Sequence, residues 1–119
     1  VNEMSIQTIG KELQNTSKLC RELKINKKEF FGGSMTISSL GGIGGTHFTP
    51  IINPPEVAIL GVGKNFDRLV KENGKIVSRK ILPISLSYDH RIIDGAEGAR
   101  FCVYLGKCLG KDFAFKLAV

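Results

Sequence analysis

Residues 57–62 of the chain read V-A-I-L-G-V, a near-continuous apolar run of strand length. Such a run is typical of a β-strand that is covered on both faces, because a half-exposed strand would alternate apolar and polar residues. Asn53-Pro54-Pro55 stands shortly before it and marks its start as a turn. The sequence therefore predicts a strand buried on both faces.

The segment in front of this strand is first helical and then rich in glycine. Apolar residues recur at helical intervals over roughly residues 5 to 22, which predicts an amphipathic helix. Asn26 has the position of an N-cap and Glu29 that of a capping-box acid, so we expect a short second helix before Gly32. Ser34 to Ser39 fits a strand that enters a glycine-rich loop.

The segment behind the apolar run alternates between strand and helix signals. Asn73-Gly74, between L-V-K and K-I-V, is the strongest hairpin signal in the chain. Ile81 to Tyr88 predicts another strand, in which Pro83 limits the pairing, and Ala96 to Leu109 predicts a helix. Helix, strands, hairpin, strand and helix in this order predict an α+β fold with a mixed or antiparallel sheet and flanking helices.

Composition limits the function classes. The chain has 119 residues, 42% of them apolar and 24% charged, which predicts a globular protein with a single core over residues 1–119. It has no apolar run near the roughly 20 residues that cross a bilayer and no secretory signal at its start, so we expect no membrane span and a cytosol-like compartment. The net charge is +6, but the basic residues are scattered, and we expect no nucleic-acid partner.

The three cysteines point to neither a disulfide framework nor a metal site. Cys20, Cys102 and Cys108 are odd in number, and none belongs to a C-x-x-C pair. We expect reduced thiols that pack as small apolar groups.

Residues with chemistry concentrate in residues 88–95, Y-D-H-R-I-I-D-G, between the last strand and the last helix. Histidine titrates near neutral pH, so His90 could take a proton from a thiol or hydroxyl, and Asp94 could hold the loop or orient the ring. The structural alternative is that His90 ends a strand and Asp94 caps the next helix, and spacing alone favours it. His47 has no acidic neighbour in the sequence, which favours a structural role more strongly.

Two blocks of sequence resemble a known family. H-R-I-I-D-G after P-I-S-L-S-Y-D is similar to the signature of the dihydrolipoamide acyltransferases and, more distantly, of chloramphenicol acetyltransferase. Residues 32–63, from G-G-S-M-T-I-S-S through N-P-P-E-V-A-I-L-G-V-G, resemble the long central block of the former family. The resemblance extends over roughly residues 3 to 110. It implies part of a chloramphenicol-acetyltransferase-like fold, namely the C-terminal half of the catalytic domain.

The resemblance also implies roles for three residues. The histidine of the family motif, here His90, deprotonates the thiol of coenzyme A, which attacks the acyl group carried on dihydrolipoamide. The hydroxyl that stabilises the resulting oxyanion matches Ser38. Asp94 matches a residue that orients the site, and its arginine partner lies in the front half of the family's domain.

Asn53, Pro54 and Pro55 match a family segment near the cofactor channel. The alternative, that the two prolines only stiffen a turn, is about equally favoured. No metal is implied, coenzyme A is a substrate, and the lipoyl group is carried on a separate domain.

The resemblance is closest to acetyl-transferring members from bacterial pyruvate dehydrogenase complexes. It implies a homotrimer within a larger cubic core, together with a 2-oxo acid decarboxylase and dihydrolipoamide dehydrogenase, in the bacterial cytoplasm or the mitochondrial matrix. Family trimers place the site between subunits, and the front half of the domain is not in this sequence, so a solitary copy is expected to be inactive.

Three alternatives stay open at this stage. The chain could be a non-catalytic assembly piece of the same core, a succinyl- or branched-chain-specific acyltransferase, or an antibiotic acetyltransferase like the chloramphenicol enzyme.

Overall fold

The structure is a computed structural model, and it describes residues 3–110 and residue 113. The chain divides into two compact units, of which the larger is Gly33–Lys107 and the smaller contains the first helix. The elements are α1 Ile6–Arg21, a 3₁₀ helix Lys27–Phe30, β1 Thr36–Ser39, β2 Ala58–Val62, β3 Phe66–Glu72, β4 Lys75–Ile81, β5 Ile84–Tyr88 and α2 Gly95–Cys108. Among these described helices, none is long and apolar enough to span a membrane.

Both helices of the smaller unit begin at side-chain caps. The Ser5 hydroxyl accepts a hydrogen bond from the backbone N–H of Thr8 at 3.2 Å, which satisfies one of the unpaired donors at the start of α1. The amide oxygen of Asn26 accepts from the N–H of Lys28 at 3.0 Å in the same way. The predicted amphipathic helix and the predicted short helix before Gly32 are therefore confirmed.

A three-stranded sheet forms the centre of the larger unit. Its order is β1-β2-β5, with β1 parallel and β5 antiparallel to β2. Apart from two prolines, the buried apolar side chains of the described residues are Ala58, Ile59 and Leu60, all on β2. The prediction that this strand is covered on both faces is thus confirmed, as is the α+β class with a mixed sheet.

The predicted hairpin forms a second, two-stranded sheet from β3 and β4. Asn73 and Gly74 connect the two strands with φ of 50° and 78°. Two successive residues with positive φ are what a tight hairpin turn requires, and Asn-Gly adopts them at low cost. The hairpin signal in the sequence is therefore confirmed.

The strand predicted for Ile81 to Tyr88 is wrong in its bounds. Ile81 pairs with Phe66 and ends β4, whereas β5 begins only at Ile84. Pro83 interrupts the run because it has no N–H for a strand ladder, while its carbonyl accepts from the N–H of Gly63 at 3.0 Å. The chain leaves one sheet and enters the other at this point. The strand predicted from Ser34 is also shorter, since β1 starts at Thr36.

Candidate active site

A short turn between β5 and α2 carries His90. The N–H of Asp89 donates to the carbonyl of Val57 at 2.8 Å, which ties the start of the turn to the segment that leads into β2. The N–H groups of Ile92 and Ile93 both donate to the carbonyl of Asp89 at 3.0 Å. The backbone of the turn is thereby fixed on both sides of His90, whose side chain is exposed.

Asp89 and Arg91, the residues on either side of His90, form an ion pair. The guanidinium of Arg91 donates from Nε at 2.9 Å and from Nη2 at 2.6 Å to the two carboxylate oxygens of Asp89, and the N–H of Arg91 donates to Oδ1 at 3.0 Å. The side-chain hydrogen bonds, followed by the backbone one, lower the pKa of Asp89 to about 2. The carboxylate is thus ionised at any pH near neutrality. Because exposed ion pairs add little stability, we interpret this pair as a local brace.

The ring of Tyr88 lies beside the His90 imidazole. Their centroids are 5.7 Å apart and the planes are inclined by 38°, within the range in which aromatic rings attract each other. Among the hydrogen bonds of residues 3–110 and 113, none reaches the imidazole. Among the described residues, the contact with the Tyr88 ring is therefore what restrains the orientation of the imidazole.

Asp94 starts the last helix. Its Oδ1 accepts a hydrogen bond from the N–H of Glu97 at 2.7 Å, the geometry of a helix N-cap. Within the described residues, this carboxylate therefore acts as a helix cap, which was the structural alternative suggested by the spacing in the sequence. It holds the turn from its C-terminal side, four residues after His90.

Ser38 lies on β1 and is half-buried. It is in register with Gly61 of β2, which in turn pairs with Ser85 of β5, so the three residues share one face of the sheet. A Cβ on Gly61 would lie 3.0 Å from the ring of Phe48 and 3.3 Å from Pro50. The glycine-rich loop therefore returns over the Ser38 face, and only glycine leaves room for it.

The sheet register separates Ser38 from the histidine turn. Tyr88 pairs with Ala58, three residues along β2 from Gly61, so the two rows are roughly 10 Å apart and project from opposite faces. A single copy therefore brings His90 and Asp94 together in one turn, which follows Tyr88, and the Tyr88 row lies on the face of the sheet opposite Ser38.

The Asn53-Pro54-Pro55 segment forms a turn, closed by the N–H of Glu56 donating to the carbonyl of Asn53 at 3.0 Å. The peptide bond between the prolines is cis. Pro54 and Pro55 line a cleft of about 470 Å³ together with Asp89 and Arg91, and Asn53 is not among its lining residues. The structure thus brings the two prolines next to the histidine turn.

The other candidate side chains are those of His47 and the three cysteines. His47 is exposed and lines a smaller cleft of about 250 Å³ with Ser85 and Ser87. Cys20, Cys102 and Cys108 are free thiols and only partly buried. Within the part of the chain that the structure describes, no three His, Cys, Asp or Glu residues stand close enough to hold a metal ion.

Sequence reasoning did not assign roles to Tyr88, Asp89 or Arg91, although all three stand in the quoted motif. The order Asp-His-Arg could have indicated the ion pair, because residues two apart in a tight turn can pair across the residue between them. Tyr88 also packs against Gly98 of the last helix, where an added Cβ would lie 2.9 Å from the ring. This contact had no local signal, since it depends on tertiary packing.

Comparison with known proteins identifies this mixed sheet, histidine turn and capped helix as part of an acyltransferase catalytic domain. The family described as 2-oxoacid dehydrogenases acyltransferase (catalytic domain) matches residues 1–114, and the chain belongs to that family. It is 54% identical over 109 residues to the dihydrolipoyllysine-residue acetyltransferase component of the pyruvate dehydrogenase complex of Haemophilus influenzae, covering 92% of this chain and 19% of that protein. The component of the same name from Cupriavidus necator is 48% identical over 112 residues, covering 94% and 20%. The chain therefore spans about a fifth of these relatives.

Solved structures give the same result. Dihydrolipoamide acetyltransferase of Azotobacter vinelandii, studied for the roles of a serine, a histidine and an asparagine in its catalytic mechanism, superposes with a TM-score of 0.88 at 46% identity, covering 94% of this chain and 46% of that one. The cubic core of the pyruvate dehydrogenase multienzyme complex also has a TM-score of 0.88, at 45% identity, with the same coverage. The chain spans a little under half of each structure.

Proposed function

We propose that this chain forms part of a dihydrolipoamide acetyltransferase, which moves an acetyl group between dihydrolipoamide and coenzyme A in a pyruvate dehydrogenase complex. In this proposal His90 is the general base, Ser38 donates to the oxyanion, and Asp94 holds the turn that carries the histidine. The lipoyl group is carried on a separate domain, and the compartment is the bacterial cytoplasm or the mitochondrial matrix.

One observation carries the assignment of residues. In the Azotobacter enzyme, the serine and the histidine under study are 52 positions apart, and the asparagine follows the histidine by four. Ser38 and His90 are also 52 positions apart here, and Asp94 follows His90 by four. This spacing selects Ser38 over the adjacent Ser39. The asparagine is replaced by aspartate in this chain, and both residue types can cap a helix through a side-chain oxygen.

The proposed reaction is a thioester exchange. The His90 imidazole takes the proton of the coenzyme A thiol, and the sulfur attacks the carbonyl carbon of the acetyl-dihydrolipoamide thioester. The Ser38 hydroxyl donates a hydrogen bond to the oxyanion of the tetrahedral intermediate. When the intermediate collapses, the carbon–sulfur bond to dihydrolipoamide breaks, and the departing sulfur receives the proton from the imidazolium. The cleft lined by Pro54, Pro55 and Arg91 opens beside this turn and is the proposed approach of coenzyme A.

The register of the sheet supports the proposed assembly. The residue that precedes the histidine turn lies on the face opposite Ser38, which agrees with a site that takes one of the two groups from a second copy, as in the proposed homotrimer with sites between subunits. The solved cubic core that this chain resembles supports a larger assembly of such trimers. The decarboxylase and dihydrolipoamide dehydrogenase components are the proposed partners of that assembly.

The test is acetyl transfer from acetyl-CoA to dihydrolipoamide by the protein as its gene encodes it. His90→Ala should lower kcat by about 10²–10⁴-fold, the usual contribution of a general base, with unchanged assembly in sedimentation. His47→Ala is the matched control, because it removes the other imidazole from a site away from the turn, and it should leave kcat unchanged. Normal turnover of assembled His90→Ala protein would refute the role of His90 as general base, whereas assembled wild-type protein without turnover would favour a non-catalytic assembly role.

A further inference from the structure

We infer that Tyr88 is a positioning residue for the His90 imidazole and that Gly98 of α2 sets the position of the Tyr88 ring. This inference rests on the proposed role of His90 as the general base. It assigns to the helix after the motif a part in orienting the base, through one aromatic ring.

The contact between Tyr88 and α2 is unusually close. A Cβ placed on Gly98 would lie 2.9 Å from Cε1 and 3.2 Å from Cζ of the Tyr88 ring, and Gly98 itself is buried. These atoms belong to the middle of a rigid ring and not to the end of a flexible side chain. Alanine at this position would therefore have to displace the ring.

The presence of Gly98 inside α2 supports the inference that this residue sets the position of the Tyr88 ring. Glycine is the poorest helix former apart from proline, so its presence inside α2 needs a reason. At Gly106, on the same helix, an added Cβ would meet nothing within 4 Å. Gly98 therefore has a packing reason that Gly106 lacks.

Tyr88 also contacts the histidine turn. Its backbone is fixed by pairing with Ala58 on the buried strand β2, and its ring lies 5.7 Å from the His90 ring. The backbone hydrogen bonds around Asp89 fix the peptide positions of the turn but do not act on the imidazole. A shift of the Tyr88 ring would consequently be transmitted to His90, and misplacement of a reacting group by about 1 Å can cost on the order of 100-fold in rate.

The experiment compares four variants in the acetyl-transfer assay with the protein as its gene encodes it. Gly98→Ala and Tyr88→Leu should each lower kcat by about ten-fold or more, with KM for both substrates changed less than about two-fold, because orientation and not binding is affected. Tyr88→Phe keeps the ring and should retain kcat. Gly106→Ala is the matched helix control and should also retain it.

A double variant tests whether the effect of the helix passes through the ring. If it does, adding Gly98→Ala to Tyr88→Leu should lower kcat little further, since the smaller side chain leaves room for the methyl group. Additive losses would overturn the inference, as would normal kcat in Tyr88→Leu. If Gly98→Ala fails to assemble, the comparison of Tyr88→Leu with Tyr88→Phe decides. Because His90→Ala is measured alongside, an active His90→Ala protein would refute the proposed function, whereas an inactive one with a normal Tyr88→Leu would refute only this inference.

Discussion

Ser38 stands on an edge strand, on the face of the sheet over which Phe48 and Pro50 return. Its neighbour Ser39 points to the other face and is exposed, with its hydroxyl accepting from the N–H of Gly41 at 3.4 Å. Two adjacent hydroxyls with the same chemistry thus lie in different environments. Only the hydroxyl of Ser38 lies on the face that the loop covers, where exclusion of water would strengthen a hydrogen bond to an oxyanion.

Replacing Ser38 by alanine should therefore lower kcat by about 10²–10³-fold, or about 2.7–4 kcal/mol of transition-state stabilisation. The apparent affinity for coenzyme A should change little, because the hydroxyl acts on charge that develops during the reaction. Steady-state acetyl transfer measures both constants, and Ser39→Ala is the matched control with unchanged kcat. A loss found mainly in KM would mean that Ser38 binds substrate and does not stabilise the oxyanion.

The last helix, α2, carries or contacts several of the residues that position the histidine turn. Asp94 caps its N-terminus, Gly98 one turn later receives the Tyr88 ring, and the histidine turn is held between the cap and the strand. The same few residues thus begin the helix and fix the loop. A change in the cap should alter both the free energy of unfolding and the position of His90.

Asp94→Asn should preserve the free energy of unfolding and most of kcat, because the amide oxygen can accept the N–H of Glu97 in the same way. Asp94→Ala removes the acceptor and should cost about 0.5–2 kcal/mol, with a lower kcat because the turn is less well held. Denaturant unfolding and acetyl-transfer assays measure the two effects. If Asn were as damaging as Ala, the carboxylate charge would matter more than the cap, as expected if an arginine from the front half of the domain pairs with it.

Elements whose signal is local could be predicted from the sequence. The helical repeat of α1, the Asn26 cap and the Asn73-Gly74 turn each depend on neighbours within a few residues, and all three were confirmed. The run on β2 was recognised because burial on both faces leaves a continuous apolar pattern. The break at Pro83 was missed because the residues on either side of it remain strand-like and only the pairing partner changes.

The site could be predicted only in part, since pairing register is not a local property. His90 and Asp94 stand in one short motif, so their proximity followed from the sequence. The row of Ser38, Gly61 and Ser85 depends on which strands pair and in what register. The placement of Ser38 and of the Tyr88 row, next to the motif histidine, on opposite faces of the sheet therefore could not be predicted before the fold was known.

At the scale of the molecule, the described residues bury few apolar side chains for the composition of the chain. Among the described residues the buried apolar core consists of three residues of β2, while Ile37, Leu69 and Ile76 are 67%, 73% and 74% exposed. Exposed apolar surface of this kind is typical of surfaces that bind other chains. It agrees with the proposed assembly, in which neighbouring copies cover such side chains and complete the site.

Mixed assemblies give a direct test of a site that is shared between subunits. Chains with His90→Ala and chains with Ser38→Ala, carrying different affinity tags, would be co-expressed and purified through both tags. Each variant alone should be nearly inactive. In a large core of randomly mixed chains about a quarter of the sites receive an intact histidine from one chain and an intact serine from its neighbour, and in an isolated trimer that carries both tags one site in three does. About a quarter to a third of wild-type activity should therefore return.

The recovery depends on geometry alone, because neither chain contains both groups. If His90 and Ser38 acted within one copy, every site in the mixture would lack one of them and activity would stay at the level of the separate variants. Mixing the two proteins after purification, without subunit exchange, is the control and should restore nothing. Doubly tagged assemblies without recovered activity would show that both groups act within one copy, although Ser38 and the Tyr88 row lie on opposite faces of its sheet.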